Sequence, residues 1–458
     1  MIEAALSPLL QCPRCRRAPL VAAATGLACR GCDRRYPAVG GIPWLHADPD
    51  ATLAEWRNRF AAYLAEFERE ARHARAEAAD PGLPAAARER VAALGAGYAD
   101  QAVRVRELLA PLALAADAAL SQATREATGV AVPLGQDLHS YYANLHRDWA
   151  WGDQENVAAA ELVGNWVSPA AARVLVLGAG ASRLAYDLHA AASRPLTVAL
   201  DINPLLLLAA ARLARGEALS LYEFPLAPLR ATDGAVLRRL AAPAPARPGL
   251  EFVFADAWRA PFAPQSFDVV VTPWLVDVVD LDFASIALHV NRLVAAGGRW
   301  INFGSLAFPW RRAAWRHGPE ETLALVAGAG FETRDVRDVA LPYMRSPASR
   351  HARVETVFAF AADKVSRAPR APEPPQPPDW LRDTSRPVPR FGAVDLAGTS
   401  ARIQAVLLAL VDGTRSVDAI AAIVAEQGLL PAPEARRAVA GLLEGLHAAE
   451  RRGRPRVN

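Results

Sequence analysis

A doubly wound α/β fold built on a mostly parallel sheet is what this sequence predicts, and three stretches predict it. The first is RVLVLGAGASRLAYDLHAAASRPLTVALD, residues 173–201: an apolar run, a glycine turn, a helical pattern, a second apolar run and an acid. The second, EFVFADAW at 251–258, is another short apolar run ending in an acid. The third is a run at 269–272, a helical pattern at 283–294 and the run RWINFGSL at 299–306. Apolar runs of about four to eight residues that alternate with helical patterns are βαβ units, whose strands are buried on both faces.

Within the first unit, 174–177 and 197–200 read as strands, and Leu184 and Leu188 lie on the apolar side of the helix between them. Gly178, Ala179 and Gly180 let the backbone pass close beneath a nucleoside-bearing ligand. Asp201, at the tip of the second strand with Ile202 after it, can accept both ribose hydroxyls. A dinucleotide fingerprint wants a third glycine, and Arg183 stands there, so the pattern suits S-adenosyl-L-methionine better than NAD or FAD. An ordinary α/β turn is the competing reading, because two glycines alone are a weak signal.

The bulk numbers exclude several classes. A length of 458 residues suggests about three domains. The net charge of +3 argues against a protein that binds nucleic acid by general phosphate neutralisation. The N-terminus has no basic region followed by an apolar core, and no apolar stretch is long enough to span a bilayer. A cytoplasmic protein without membrane partners is expected.

All four cysteines lie in two C-x-x-C knuckles, Cys12/Cys15 and Cys29/Cys32. Two such knuckles across a hairpin-length insert form a tetrahedral thiolate site for Zn²⁺; two disulfides are the alternative. So short a segment buries too little apolar surface to fold without the ion. With the run RYPAVGGIPWL at 35–45, residues 1–47 resemble the short zinc ribbons that accompany methyltransferases, including the activator protein of tRNA and release-factor methyltransferases. With no open coordination position, the site is structural or a docking surface.

Residues 48–139 form a helical segment. Trp56, Phe60, Tyr63, Leu64 and Phe67 recur at helical spacing, Pro81-Gly82-Leu83-Pro84 breaks the pattern, and a second helix runs over 85–114. The stripe reads as bundle core, with a lid over the site as the alternative.

The stretch SYYANLHRDWAWGDQEN, residues 140–156, is dense in aromatic and hydrogen-bonding groups. Its Arg147-Asp148-Trp149, ahead of VLVLGAGASRLAYDL, resembles the carnosine N-methyltransferase family, in which an arginine-aspartate-tryptophan helix precedes a VLVPGAG.GRLA loop. Gly297-Gly298 with RWINFGSL is similar to that family's PGG.WINLGPL. The resemblance covers about 141–364 and implies a Rossmann-like class I methyltransferase sheet over 140–364. It implies S-adenosyl-L-methionine held by the residues already named, with Asp256 on the adenine amino group and Ala257, Trp258, Thr272 and Trp274 along the ligand. Asp277, after the fourth strand, matches the family's substrate-binding aspartate, and His146 and Glu155 are secondary candidates for catalysis. The family's histidine after GPLLY is replaced by the run Ser305 to Pro309, and His351-Ala352-Arg353-Val354 stands where its tyrosines precede the last strand.

Residues 331–343 and 354–361 supply two further strands. A proline-rich linker occupies 365–390. In 391–458 three short amphipathic helices are predicted at 401–411, 416–427 and 433–449, and the module resembles winged-helix and peptide-chaperone-like modules of biosynthetic enzymes. Together these features predict an S-adenosylmethionine-dependent methyltransferase acting on nitrogen in a small molecule or peptide. A methyltransferase of RNA or protein that docks through ribbon and tail, and a non-catalytic scaffold, are the alternatives.

Overall fold

The computed structural model describes residues 5–16, 19–114, 138–279, 281–308, 313–368, 385–390 and 392–452. The chain divides into two compact units, Met1–Pro372 and Glu373–Asn458. Ribbon, helical segment and sheet therefore share one unit.

The ribbon has three antiparallel strands, β1 (Leu20–Ala23), β2 (Gly26–Cys29) and β3 (Arg35–Tyr36), followed by the hairpin β4 (Ala38–Val39) and β5 (Ile42–Pro43). At Gly26, φ is +127° and an added Cβ would lie 2.2 Å from the Tyr36 carbonyl oxygen, so the β1–β2 turn admits glycine alone.

Helix α1 (Pro49–Ala78) begins where the Asp48 carboxylate accepts from the Ala51 amide and Pro49 occupies the first turn. Helix α2 (Ala85–Leu108) starts after the predicted break but stops short of the expected end. Pro111 cannot continue the ladder, and the chain closes in a 3-10 turn, Ala110–Leu112, with Ala113 left-handed. The helical pattern expected beyond 114 falls outside the described residues. Helix α3 (Leu138–His146) leads into a π turn, Arg147–Trp151, and then α4 (Asp153–Gly164). The turn closes with the Gly152 amide donating to the Arg147 carbonyl at 2.8 Å.

The sheet follows in order: β6 (Arg173–Leu177), α5 (Arg183–Ala190), β7 (Leu196–Asp201), α6 (Pro204–Ala214), an unforeseen hairpin β8 (Ala218–Glu223) and β9 (Val236–Ala241), and β10 (Leu250–Phe254). Next come β11 (Phe267–Pro273), α7 (Phe283–Leu293), β12 (Val294–Gly304), α8 (Pro319–Gly328), β13 (Phe331–Tyr343) and β14 (Arg353–Lys364). Seven strands are ordered β10-β7-β6-β11-β12-β14-β13, with the first five parallel and β14 antiparallel to both neighbours. This is a Rossmann-like, mostly parallel sheet. Strand order reverses between β6 and β11, so a crevice opens at their carboxyl ends.

Side chains alternate across the sheet. Leu175, Leu177, Val198, Leu200 and Val270 enter one core, while Val174, Val176, Ala199, Val269 and Val271 enter the other. Helix α6 is apolar on nearly every side because the sheet covers one face and the α1–α3 bundle covers another, with Trp56, Phe60 and Tyr63 in the same core as Leu205 to Leu208. The helical segment thus belongs to the core of the larger unit.

The smaller unit contains α9 (Gly392–Ala409), α10 (Val417–Glu426), capped by the Ser416 hydroxyl, and α11 (Ala432–Arg452). They pack around Leu407, Ile420, Val424, Ala435 and Val439, and among the described residues of this unit there is no strand to form a wing. Among the described residues, no helix is long and apolar enough to cross a membrane.

Candidate functional site

The turn after β6 is shaped by two glycines for different reasons. Gly178 has φ +67°, and a Cβ there would lie 2.6 Å from a Leu275 methyl; Gly180 has φ +55°, with open space beside it. The Gly180 amide donates to Asp201 Oδ2 and the Asn203 amide to Oδ1, both at 2.8 Å. Burial pushes the Asp201 carboxyl up to about 6 against the pull of these amides. The Ala179 amide donates to the Leu200 carbonyl at 2.9 Å. Beside Asp201, Ile202 is 45% exposed, an apolar surface at the mouth of the crevice.

After β10, Asp256 caps a 3-10 turn, Ala257–Arg259, by accepting from the Trp258 amide at 2.9 Å. Burial raises its carboxyl above the ordinary carboxylate range. The Trp258 indole N–H is buried without a partner. An open cradle over Gly180, two carboxylates at strand tips, an exposed isoleucine and an unpaired donor fit the adenosyl part of S-adenosyl-L-methionine.

The Arg147-Asp148-Trp149 turn grips this cradle from outside the sheet. The Trp149 indole donates to the Ala181 carbonyl at 2.8 Å, and Asp148 Oδ2 accepts from the Arg183 amide at 3.5 Å. Arg183 faces back to the same turn: its guanidinium donates to the Asp148 carbonyl at 2.8 Å, pairs with Asp187 and lies over the Trp149 ring. The arginine in place of the third glycine thus locks the cradle to the π turn, and its charge is spent there rather than on a ligand.

At the fourth strand, Asp277 is 4% exposed and its Oδ2 accepts from the Ser305 hydroxyl and from the Ala307 amide at 3.0 Å. Asp282, not Asp277, caps α7. The Trp274 ring lies 4.8 Å from that of Tyr343 and 5.5 Å from Phe303. Tyr141, not picked out beforehand within its aromatic stretch, carries a phenol that senses the charges of Asp201 and Asp277. Burial, then the charges of Asp201, Tyr343 and Asp277, raise its phenol well above the ordinary range. Arg147 and Arg353 lie over the Tyr343 ring at 5.9 and 4.4 Å. Burial works against the Arg147 charge, but Asp148 and Glu155 beside it hold the guanidinium above its ordinary range. Glu155, itself raised by burial, accepts from the Met344 amide at 3.1 Å.

Two other expected residues serve the scaffold. His146 Nε2 lies 3.2 Å from the Tyr222 carbonyl of the β8–β9 hairpin, and burial lowers the ring to about 3, so it stays neutral. Thr272 is fully buried, accepting from the Trp300 indole at 2.9 Å and donating to Asn302 Oδ1 at 2.8 Å.

The ligand atoms of Cys12, Cys15, Cys29 and Cys32 lie within 4.8 Å of one another, with Cys12–Cys32 and Cys15–Cys29 sulfurs 3.6 Å apart. These are free cysteines, so the disulfide alternative does not hold. Zinc bound at about 2.3 Å to four thiolates puts the sulfurs about 3.8 Å apart, so the set fits the ion. The Cys15 and Gly31 amides point at Cys12 and Cys29 sulfurs, at 3.5 and 3.3 Å, as donors to thiolates do. Burial pushes the Cys29 thiol up to about 12, so a cation is needed to keep it ionised near neutral pH.

No family model and no curated protein matches the chain. Among solved structures it is similar to the YcgJ protein of Bacillus subtilis, at 13% identity and TM-score 0.32, over 46% of this chain and 99% of that one. It is also similar to geranyl diphosphate C-methyltransferase of Streptomyces coelicolor A3(2), at 15% identity and TM-score 0.33, over 51% of this chain and 87% of that one. The strand order of the sheet, rather than these distant likenesses, defines the fold.

Proposed function

We propose that this chain is a class I S-adenosylmethionine-dependent methyltransferase acting on a nitrogen of a small molecule or peptide. The observation that carries the reading is Asp201, whose carboxylate at the tip of β7 is tied by the Gly180 amide at 2.8 Å to an open glycine turn after β6. S-adenosyl-L-methionine, when bound, supplies a methyl group on a positively charged sulfur.

Asp201 then accepts the ribose hydroxyls, Asp256 the adenine amino group, and Ile202 covers the base. Asp277 Oδ2 is engaged by Ser305 and Ala307, so Oδ1 holds the acceptor N–H and orients the nitrogen lone pair along the line of transfer. The bound donor would supply the methyl as an electrophile, and Asp277 would take the proton that the acceptor nitrogen gives up. Tyr141, Trp274 and Tyr343 wall the acceptor and keep water out. A methyl acceptor carried on nucleic acid is disfavoured at the ribbon. Its cavity of about 610 Å³, lined by Arg14, Arg34 and Arg35, also contains Asp33 and Asp50, and Arg34 is paired with Asp48 and Asp50.

Calorimetry with S-adenosylhomocysteine tests the donor half, and intact-mass screening of metabolite and peptide pools with labelled donor tests the acceptor half. Binding by the native protein that is lost in Asp201→Ala is expected. A native protein with no measurable binding leaves the scaffold alternative standing, and label carried into RNA or a protein overturns the small-acceptor reading.

A further inference from the structure

The zinc ribbon and the adenine segment are 242 residues apart at one contact, yet they are one construction. Residues 254–263 carry Asp256 and Trp258, and the ribbon holds them at both ends and in the middle. At the near end, the Leu45 amide donates to the Phe254 carbonyl at 2.7 Å, and Trp44 forms a parallel bridge with Phe254, its ring 5.2 Å away. At the far end, Leu10 and Phe262 form an antiparallel bridge. The Gln11 amide donates to the Pro261 carbonyl at 2.9 Å and the Ala263 amide to the Leu9 carbonyl at 2.8 Å. Between them the Arg16 guanidinium donates to the Trp258 carbonyl at 3.4 Å.

The stretch that makes the far-end and middle contacts, residues 9–16, also carries Cys12 and Cys15. Cys12 and Cys29 are buried in one core with Ala257, Ala260 and Phe262. β10 is an edge strand of the sheet, and the ribbon pairs with the end of its outer side through the Trp44–Phe254 bridge. On the sheet side the segment is held by the Ala255 amide to the Asp201 carbonyl, 3.1 Å, and by Arg292 to the Phe262 and Ala260 carbonyls, 3.0 and 3.3 Å. In the middle the sheet side offers the His289 ring of α7, 5.7 Å from that of Trp258, while the backbone of the segment is held from the ribbon side. The ribbon contacts depend on the shape of residues 9–16, and a loop of that length with two cysteines keeps its shape only while an ion bridges them to Cys29 and Cys32.

We propose that the four-cysteine metal site positions the donor pocket: the ion holds residues 9–16 in the form that pins residues 254–263, and with them Asp256 and Trp258, at the crevice. The consequence for ligand binding rests on the donor reading above; the mechanical coupling does not. Without the ion, binding must first order residues 254–263, and affinity falls by about tenfold.

The test compares holoprotein with protein stripped by a chelator under reducing conditions, using hydrogen exchange and S-adenosylhomocysteine calorimetry. Exchange across residues 254–263 is expected to rise by about tenfold or more, while β6 and β11 stay protected and added Zn²⁺ restores the segment. Unchanged exchange there, with loss of the ion verified by elemental analysis, overturns the proposal. So does a uniform rise across β6 and β11, which would make the ion a requirement of the whole fold. Arg16→Met, which retains all four cysteines, is expected to keep one zinc per chain, expose residues 254–263 and weaken S-adenosylhomocysteine binding; no change in exchange in that variant also counts against it. A holoprotein that binds no S-adenosylhomocysteine overturns the donor reading alone, and the exchange measurement still decides the coupling.

Discussion

The Gly180 amide donates to Asp201 Oδ2 at 2.8 Å, tying the turn after β6 to the tip of β7. The carboxylate that is to hold a ribose therefore also fixes the turn beneath it, and its charge state governs both.

Burial raises the folded Asp201 carboxyl to about 6, above its unfolded value. The ionised form therefore costs stability above that range, and protonation recovers it as pH falls through about 6. Ribose hydroxyls donate best to the ionised form, so S-adenosylhomocysteine affinity should fall by about fourfold as pH drops from 7.5 to 5.5. In Asp201→Asn the calorimetric affinity should be lower throughout and lack that slope.

Trp149→Phe keeps the ring but removes the N–H that donates to the Ala181 carbonyl. Loss of one buried hydrogen bond is worth about 1–3 kcal/mol. Melting temperature and donor affinity should both fall, affinity by at least about fivefold. An unchanged affinity would show that the cradle holds its shape without the π turn.

Asp277→Asn keeps the shape while removing the charge. Methyl transfer should fall by about a hundredfold or more with donor affinity unchanged. Ser305→Ala, which frees Asp277 from one of its two donors, should cost less. Equal losses in donor binding and turnover would assign Asp277 to holding the chain after β12 in place.

Tyr141→Phe removes only the phenol oxygen. If that group lines the acceptor, KM for the acceptor should rise several-fold while donor affinity stays level, as steady-state kinetics and calorimetry will show.

Elemental analysis should find one zinc per chain. Because burial raises the Cys29 thiol to about 12 without a cation, metal uptake at pH 7 must release protons. Calorimetry of zinc binding in buffers of different ionisation enthalpy should show it, and an absence of proton release would mean the thiols are already ionised.

Much of this architecture is written in local pattern. The strands at 173–177, 196–201 and 250–254 are short apolar runs with an acid at or just after their ends, and period and punctuation suffice to read them. The glycines at 178 and 180 announce a close backbone approach because φ values of +67° and +55° leave few other residues possible. The two C-x-x-C knuckles announce a tetrahedral site for the same kind of reason: spacing sets which sulfurs can converge. Other features depend on contacts between distant segments. Arg183 reads as a defect in a nucleotide fingerprint until Asp148 and Asp187 surround it. His146 reads as a proton carrier until the Tyr222 carbonyl and full burial keep it neutral. Tyr141 is one aromatic among several in its stretch, and the charges that act on it, those of Asp201 and Asp277, come from distant segments. The ribbon, far from the donor loop in sequence, lies against residues 254–263 because an edge strand and an undersized apolar core each need covering, and the two cover one another.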